Sequence, residues 1–213
     1  PSLLQGFSAP VRLRFARSDD ELSFLMRADT DAFNRWDAGQ EFAQRLIIQG
    51  VEDTREGREP TFSDDYVDAL RAVLEDPALD RALAAEMFSL PAESYIAEQM
   101  DVVDPDAIHE VRQALRRELG RQLRPEFETV FAACRINEPY RFDTESAATR
   151  ALGNTALAFL MTLEEPAVYD RCVAQFNQAD NMTNRLAALT LLCESKAPDR
   201  AAALAAFEDE WRD

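Results

Sequence analysis

Apolar residues recur along most of this chain at every third or fourth position, but one short stretch near its start alternates instead. Val11, Leu13 and Phe15 stand at every second position, separated by Arg12 and Arg14. A period of two puts one apolar face on a β-strand, and a lone strand is not stable by itself. No other segment alternates comparably well, so this reads as an orphan strand whose sheet lies elsewhere. From Ser18 onward the period is helical. Ser18 and Glu21, three residues apart, make a capping box, and Leu22, Leu25 and Met26 follow at helical spacing. A longer helix is predicted from about Asp31 to the mid-fifties, with Phe33, Trp36, Ala43, Leu46, Ile47 and Val51 on one stripe. Trp36 is expected to be a buried anchor there, since large aromatics supply most of the area such a stripe can bury.

The helical pattern continues to the end of the chain. Residues 53–60 are charged and carry Gly57, which reads as a loop. Ser63 caps a helix through Val67, Leu70, Val73 and Leu74 that stops near Pro77. Residues 79–88 are rich in Ala and Leu, and Pro91 fits the first turn of a short helix. Asp104 and Pro105 open another, with Ile108, Val111, Leu115 and Leu119 on one side. Pro125 should kink or split it, and the continuation carries Phe127, Val130 and Phe131. After a loop at residues 137–141, Thr144 and Glu145 start a helix through Leu152, Leu157, Phe159 and Leu160. Pro166 starts the next, Asn181 caps one through Leu186, Leu189 and Leu192, and Pro198 starts a last one ending in Phe207 and Trp211.

About ten helices joined by short loops predict successive antiparallel pairs, because short loops make sequence neighbours spatial neighbours. The expected fold is all-α: an irregular superhelical array of antiparallel helical hairpins, without a fixed repeat period, preceded by the orphan strand. The expected division is residues 1–16 as the tail of a β-sandwich and residues 17–213 as helical domain. Both ends should expose apolar surface, the strand at one and Phe207 with Trp211 at the other.

Composition narrows the function. At roughly 150 residues per domain, 213 residues make one large domain or two small ones. A hydrophobic content of 46% supports a sizeable core, and the apolar runs are too short and too charged to span a bilayer. The net charge of -17 argues against a nucleic-acid binder and against docking on anionic lipid. One histidine, His109, excludes the two-histidine HExxH zinc motif. Six scattered glycines leave no P-loop and no GxGxxG cradle, and no GxSxG elbow occurs. Cys134, Cys172 and Cys193 are far apart without a CxxC pair, which suggests reduced structural thiols in a cytoplasmic protein.

The remaining candidates each have a plain structural reading. His109 lacks ligand partners at fixed spacing, and the cysteines fall within apolar helical stripes. Arg112, Arg116, Arg117, Arg121 and Arg124 share adjoining faces of one helix. They could hold a phosphate or carboxylate, but a solvated face or pairing with acidic neighbours is the expected role. Asp19 with Asp20, Asp64 with Asp65, and Glu164 with Glu165 lie near predicted helix ends, where the first two pairs suit a helix N-terminus. Adjacent residues on a helix do not face each other, so none makes an acid/base pair. The expected site list is therefore empty: no catalytic, cofactor-binding or metal-binding residue in this chain.

Four passages carry a family resemblance. Residues 1–11 read PSLLQGFSAPV. Phe24-Leu25-Met26-Arg27 precedes Asp31-Ala32-Phe33-Asn34-Arg35-Trp36-Asp37-Ala38-Gly39-Gln40. Arg150-Ala151-Leu152-Gly153-Asn154 comes next, and then Gln175-Phe176 with Ala179-Asp180-Asn181-Met182-Thr183 and Ala187-Ala188-Leu189. In this order they resemble the "PSLLRxFSAPV", "FLM…DxFNRWEAGQ", "RxLxN" and "QF…AxNMT" passages of the bacterial-type aminopeptidase N family of zinc aminopeptidases, the gluzincins. Gln5 departs from a common Arg, and Asn184 stands where an acidic residue often follows "NMT".

The resemblance implies a segment running from the end of a small β-sandwich into the first part of a C-terminal helical domain. It implies a parent enzyme that removes N-terminal residues from peptides with zinc, whose GxMEN and HExxH motifs, distant Glu ligand and catalytic Tyr all precede this segment. This chain would then be non-catalytic and carry no cofactor. It would help enclose the active-site chamber and control substrate access, with the upstream catalytic and β-sandwich domains and the peptide substrates as partners. The competing expectation is an independent helical-repeat module that binds a protein or peptide. A small enzyme with chemistry of its own is disfavoured by the missing motifs.

Overall fold

The computed structural model describes residues 15–135 and 139–212, and among these the fold is all-helical. The predicted strand lies outside the described residues except for Phe15, which is in no regular element. Eleven helices follow one another: α1 (Asp19–Ala28), α2 (Ala32–Arg55), α3 (Asp64–Glu75), α4 (Arg81–Met87), α5 (Glu93–Ala97), α6 (Pro105–Gln122), α7 (Arg124–Ala133), α8 (Thr144–Met161), α9 (Pro166–Gln178), α10 (Met182–Glu194) and α11 (Arg200–Trp211). The chain divides into two compact units, and the break between Glu118 and Leu119 falls within α6. No described helix is long and apolar enough to cross a membrane.

In the first unit the helix starts follow the capping residues. The Ser18 hydroxyl accepts from the Glu21 amide at 3.2 Å, and the Glu21 carboxylate accepts from the Ser18 amide at 2.9 Å, completing the capping box. Asp31, Ser63 and Asp80 cap α2, α3 and α4 with their side chains. Pro91 stays outside α5, whose N-cap is Ala92. α2 ends at Arg55, in the mid-fifties as expected, and so takes in the first three residues of the segment read as loop. Its close is a Schellman arrangement: Gly57 at φ 75° donates to the Thr54 carbonyl at 3.0 Å, and Arg58 donates to the Asp53 carbonyl at 2.8 Å. The Arg58 guanidinium also grips the Asp53 carboxylate, holding its pKa below the usual carboxylate value.

α1 packs on α2 and α3, and α2 continues onto α4 and α5. The buried stripe of α2 is Asn34, Ala38, Phe42, Ala43, Ile47, Gly50 and Val51. Phe42 meets Tyr66 of α3 edge-on at 5.2 Å. The expected anchor, Trp36, is only half-buried, and Phe33 is 37% exposed. The two rings lie against each other at 5.8 Å. In the first turns of α2 the buried positions are Asn34, Ala38 and Gly39, with Gly39 beside Met26 of α1, and the indole leans on Phe33 instead.

In the second unit α7 packs on α8, α8 on α9 and α10, and α10 on α9 and α11. Leu123 breaks the helix where Pro125 required it, and Pro125 sits in the first turn of α7. Phe127 and Phe159 stack at 4.9 Å and 7°. Gly153 allows α8 to press on the end of α7, since a Cβ there would lie 2.9 Å from that of Cys134. The last helix buries only Ala203; of the two aromatics expected to be exposed there Trp211 is, while Phe207 is half-buried, and Leu204 is exposed beside them. Arg185 ties it to α10 through Glu210, at 2.8 and 2.5 Å.

Two of the three cysteines are buried, and Cys193 is exposed. Cys172 donates to the Ala188 carbonyl at 3.4 Å, and burial pushes its thiol from 9.0 up to about 12. Burial raises the Tyr66 hydroxyl in the same direction.

Phe42→Ala should lower stability by about 3–5 kcal/mol through loss of buried area and the cavity left behind. Trp36→Ala should cost well under half of that. Urea unfolding of both variants checks the order, and a larger loss at Trp36 would contradict the assigned stripe. The thiols give a second expectation. A group whose folded pKa is raised contributes stability that is complete below its unfolded pKa and is lost as pH climbs towards the folded one. The unfolding midpoint should therefore fall between about pH 9 and 12. At neutral pH a thiol reagent should modify Cys193 in the native chain and reach Cys172 only on unfolding. Equal labelling rates would refute the burial.

Candidate functional site

The singled-out residues do not gather into a catalytic centre. His109 Nδ1 lies 2.9 Å from Glu93 Oε1, with both side chains exposed. Arg112 holds the backbone before α5, donating to the Pro91 carbonyl at 2.9 Å and the Leu90 carbonyl at 3.3 Å. Arg124 makes a two-pronged pair with Glu165 at 2.8 and 2.7 Å and reaches Glu128 at 3.3 Å. Arg117 is exposed, and Arg116 and Arg121 each take part in polar or ionic contacts. Arg112 and Arg124 are thus spent on different partners, and the stripe does not act as one anion-binding face. Asp19 accepts from Arg45 at 3.1 Å, Glu164 accepts from Lys196 at 2.8 Å, and Asp64 and Asp65 occupy the first turn of α3. Among the described residues no group of three or more His, Cys, Asp or Glu side chains is placed to hold a metal ion.

The second unit instead contains a cavity of about 620 Å³. Helical spacing assembles its polar wall. On α8, Arg150, Gly153 and Asn154 share one face at i, i+3 and i+4. On α9, Arg171, Gln175 and Gln178 do the same. Asn184 comes from the first turn of α10, whose N-cap Asn181 accepts from the Asn184 amide at 2.9 Å. All of these line the cavity, with Arg135 and Asp180.

A ladder of carboxamides joins the three helices. Gln175 Nε2 donates to Asn154 Oδ1 at 2.8 Å and to the Asn184 carbonyl at 3.1 Å, and Asn154 Nδ2 donates to Asn184 Oδ1 at 3.1 Å. Arg150 is 6% exposed. Its guanidinium lies 4.9 Å from the Tyr140 ring centre and donates to the Arg141 carbonyl at 3.3 Å, while its Nε has no partner. Asp180 accepts from the Tyr140 amide at 2.7 Å and from Asn181 Nδ2 at 2.9 Å. The Asn181 bond first, then the Tyr140 amide and the nearby Arg150 charge, holds the Asp180 carboxyl below its usual pKa.

No nucleophile beside a base occurs in this wall. It offers donors, an acceptor and positive charge, which suits binding. Reading the sequence for chemistry passed over Arg150, Asn154, Gln175 and Asn184. The available signal was their place inside or directly beside the "RxLxN" and "QF…AxNMT" passages, two stretches some twenty residues apart that the fold closes onto one cavity.

Comparison with known proteins agrees with the resemblance. The chain is 41% identical over 99% of its length to aminopeptidase N of Escherichia coli, and 32% identical over 99% to aminopeptidase N of Caulobacter vibrioides. It spans about a quarter of the length of these curated relatives, 24% in each case. Among solved structures, Legionella pneumophila aminopeptidase A in complex with aspartic acid superposes with a TM-score of 0.83 at 27% identity, covering 99% of this chain and 25% of that one. Residues 19–213 match the profile described as "Domain of unknown function (DUF3458_C) ARM repeats", and the chain belongs to that family.

Proposed function

We propose that this chain is a non-catalytic helical part of a zinc aminopeptidase that removes N-terminal residues from peptides. In this reading residues 1–16 close a β-sandwich and residues 17–213 begin the helical domain. The helical layers help enclose the active-site chamber and limit which substrates reach it. The catalytic and β-sandwich domains of the same polypeptide, and the peptides it cleaves, are the partners, and the compartment is the cytoplasm. The observation that carries the reading is the end-to-end match to aminopeptidase N relatives over a segment that is only a minor share of their length.

The chemistry supports a division of labour. Hydrolysis by zinc needs three protein ligands and a metal-bound water with lowered pKa, and the described residues supply no such set. Those ligands would come from the rest of the polypeptide. What this segment can contribute is shape. Stacked helices with cores as closed as those around Phe42 and Phe127 make a stiff wall, which admits an extended peptide and excludes a folded protein.

The purified chain should release no arylamine from aminoacyl arylamides with or without zinc, while the complete polypeptide should do so. The reading frame ahead of residue 1 should encode GxMEN and HExxH. The complete enzyme should cleave short peptides and spare a folded protein with an accessible N-terminus. A reading frame without those motifs would sink the proposal and leave an independent helical-repeat module. Metal-dependent turnover that follows the isolated chain through purification would sink it from the other side.

A further inference from the structure

We propose that the cavity between α8, α9 and α10 is a docking site for a carboxylate-bearing peptide, with Arg150 as the anion contact and the Asn154–Gln175–Asn184 ladder as the main-chain contact. The inference goes beyond the enclosure reading and stands without it, because it rests only on what the second unit presents.

The charge balance is the first observation. In a chain of net charge -17, this cavity is lined by three arginines and one aspartate. The aspartate is occupied by the Tyr140 and Asn181 donors, and Arg171 shares its charge with Glu128 at 3.5 Å. Among the described residues, Arg150 and Arg135 have no carboxylate within ion-pair distance, although Asp143 and Asp180 lie near enough for the Arg150 charge to lower their pKa values. A cation as buried as Arg150 is ordinarily paired, since burying it alone is costly. Its one hydrogen bond, to the Arg141 carbonyl, is long at 3.3 Å and leaves most of the guanidinium fork without a partner. A carboxylate is the anion whose two oxygens match that fork.

The second observation selects a peptide over a bare anion. The ladder consumes Gln175 Nε2 twice and Asn184 Oδ1 once. It leaves Asn184 Nδ2 and Gln175 Oε1 without a protein partner among the described residues. One leftover donor and one leftover acceptor, on two residues that both line the cavity, are what the C=O and N–H of a peptide main chain need. Inorganic phosphate at neutral pH makes poor use of the acceptor. The volume of about 620 Å³ lies within the range of small-molecule sites and exceeds what a single anion needs. Asn184 adds to the case: an acidic residue here would bring a carboxylate of the chain's own to the cavity wall.

Calorimetric titration of the 213-residue chain tests the proposal. The probes are N-acetyl-trialanine as free acid, the same peptide as C-terminal amide, N-acetyl-Asp-Ala-Ala amide and inorganic phosphate. The free acid should saturate at one site and bind at least tenfold more tightly than the trialanine amide and than phosphate. The aspartyl amide distinguishes the source of the carboxylate, a chain terminus if it binds weakly and any peptide carboxylate if it matches the free acid. Arg150→Gln should weaken the free acid tenfold or more. Asn184→Asp should do the same by repulsion, and it suits the fold, because its carboxylate still accepts from Asn154 and favours the N-terminus of α10. Equal affinity for acid and amide, no binding of the acid, tighter binding of phosphate, or unchanged affinity in Asn184→Asp would each overturn it. These outcomes decide the question even if Arg150→Gln does not fold.

Discussion

The side chains of Phe42, Ile47 and Val51 leave water completely along one stripe of α2, while the other side of the helix carries Asp37, Glu41 and Arg45. A chain this acidic can bury only such stripes, so each helix docks through a narrow apolar seam and keeps its charges on the rim. Where rim charges come close, they are neutralised locally. Arg17, just ahead of α1, has an almost fully buried side chain and reaches Asp37 at 3.3 Å and Glu41 at 3.0 Å. Arg45 pairs with Glu41 and donates to the Arg17 carbonyl at 2.7 Å. This cluster fastens the segment preceding α1 onto α2. Seams this narrow also demand small residues at the closest crossings, and Gly50 meets Val111 and Pro60 where any side chain would collide.

The same limit shapes the second unit. Phe127 against Phe159, and Gly153 against Cys134, bring α7 and α8 together. Beside that contact the surfaces of α8, α9 and α10 diverge and leave the cavity. Gln175 spans the gap, one nitrogen serving both neighbouring helices. A carboxamide suits the position because it donates and accepts without bringing a charge that would need a counter-ion. Arg150 thus has carboxamides beside it and the Asp180 carboxylate nearby, with no ion pair to either side among the described residues.

In functional terms the fold and the chemistry separate cleanly. The helices supply closed layers and a polar recess, and no described cluster supplies a hydrolytic metal. The relatives match this segment over about a quarter of their own length.

Helix positions were legible in the sequence because they depend on local signals. Ser18 with Glu21, Ser63, Asn181, Pro125 and Gly57 act within a turn of themselves, and the apolar period of α6 through Ile108, Val111, Leu115 and Leu119 marks a buried face whatever covers it. The end of α2 was legible in the same way, since Gly57 and the bonds from Arg58 back to Asp53 close the helix within a turn of Arg55. Trp36 was misjudged for the opposite reason. Its stripe is compatible with burial, but what covers each end of a stripe depends on the partner helix, and in the first turns of α2 the packed positions are Asn34, Ala38 and Gly39. The cavity is the fullest case. Arg150, Asn154, Gln175 and Asn184 were present as letters in two motif passages, but a lone polar residue on a helix gives no sign of where its face will point. Their convergence came only with tertiary packing, because it depends on which helix faces are left over once the apolar seams have closed.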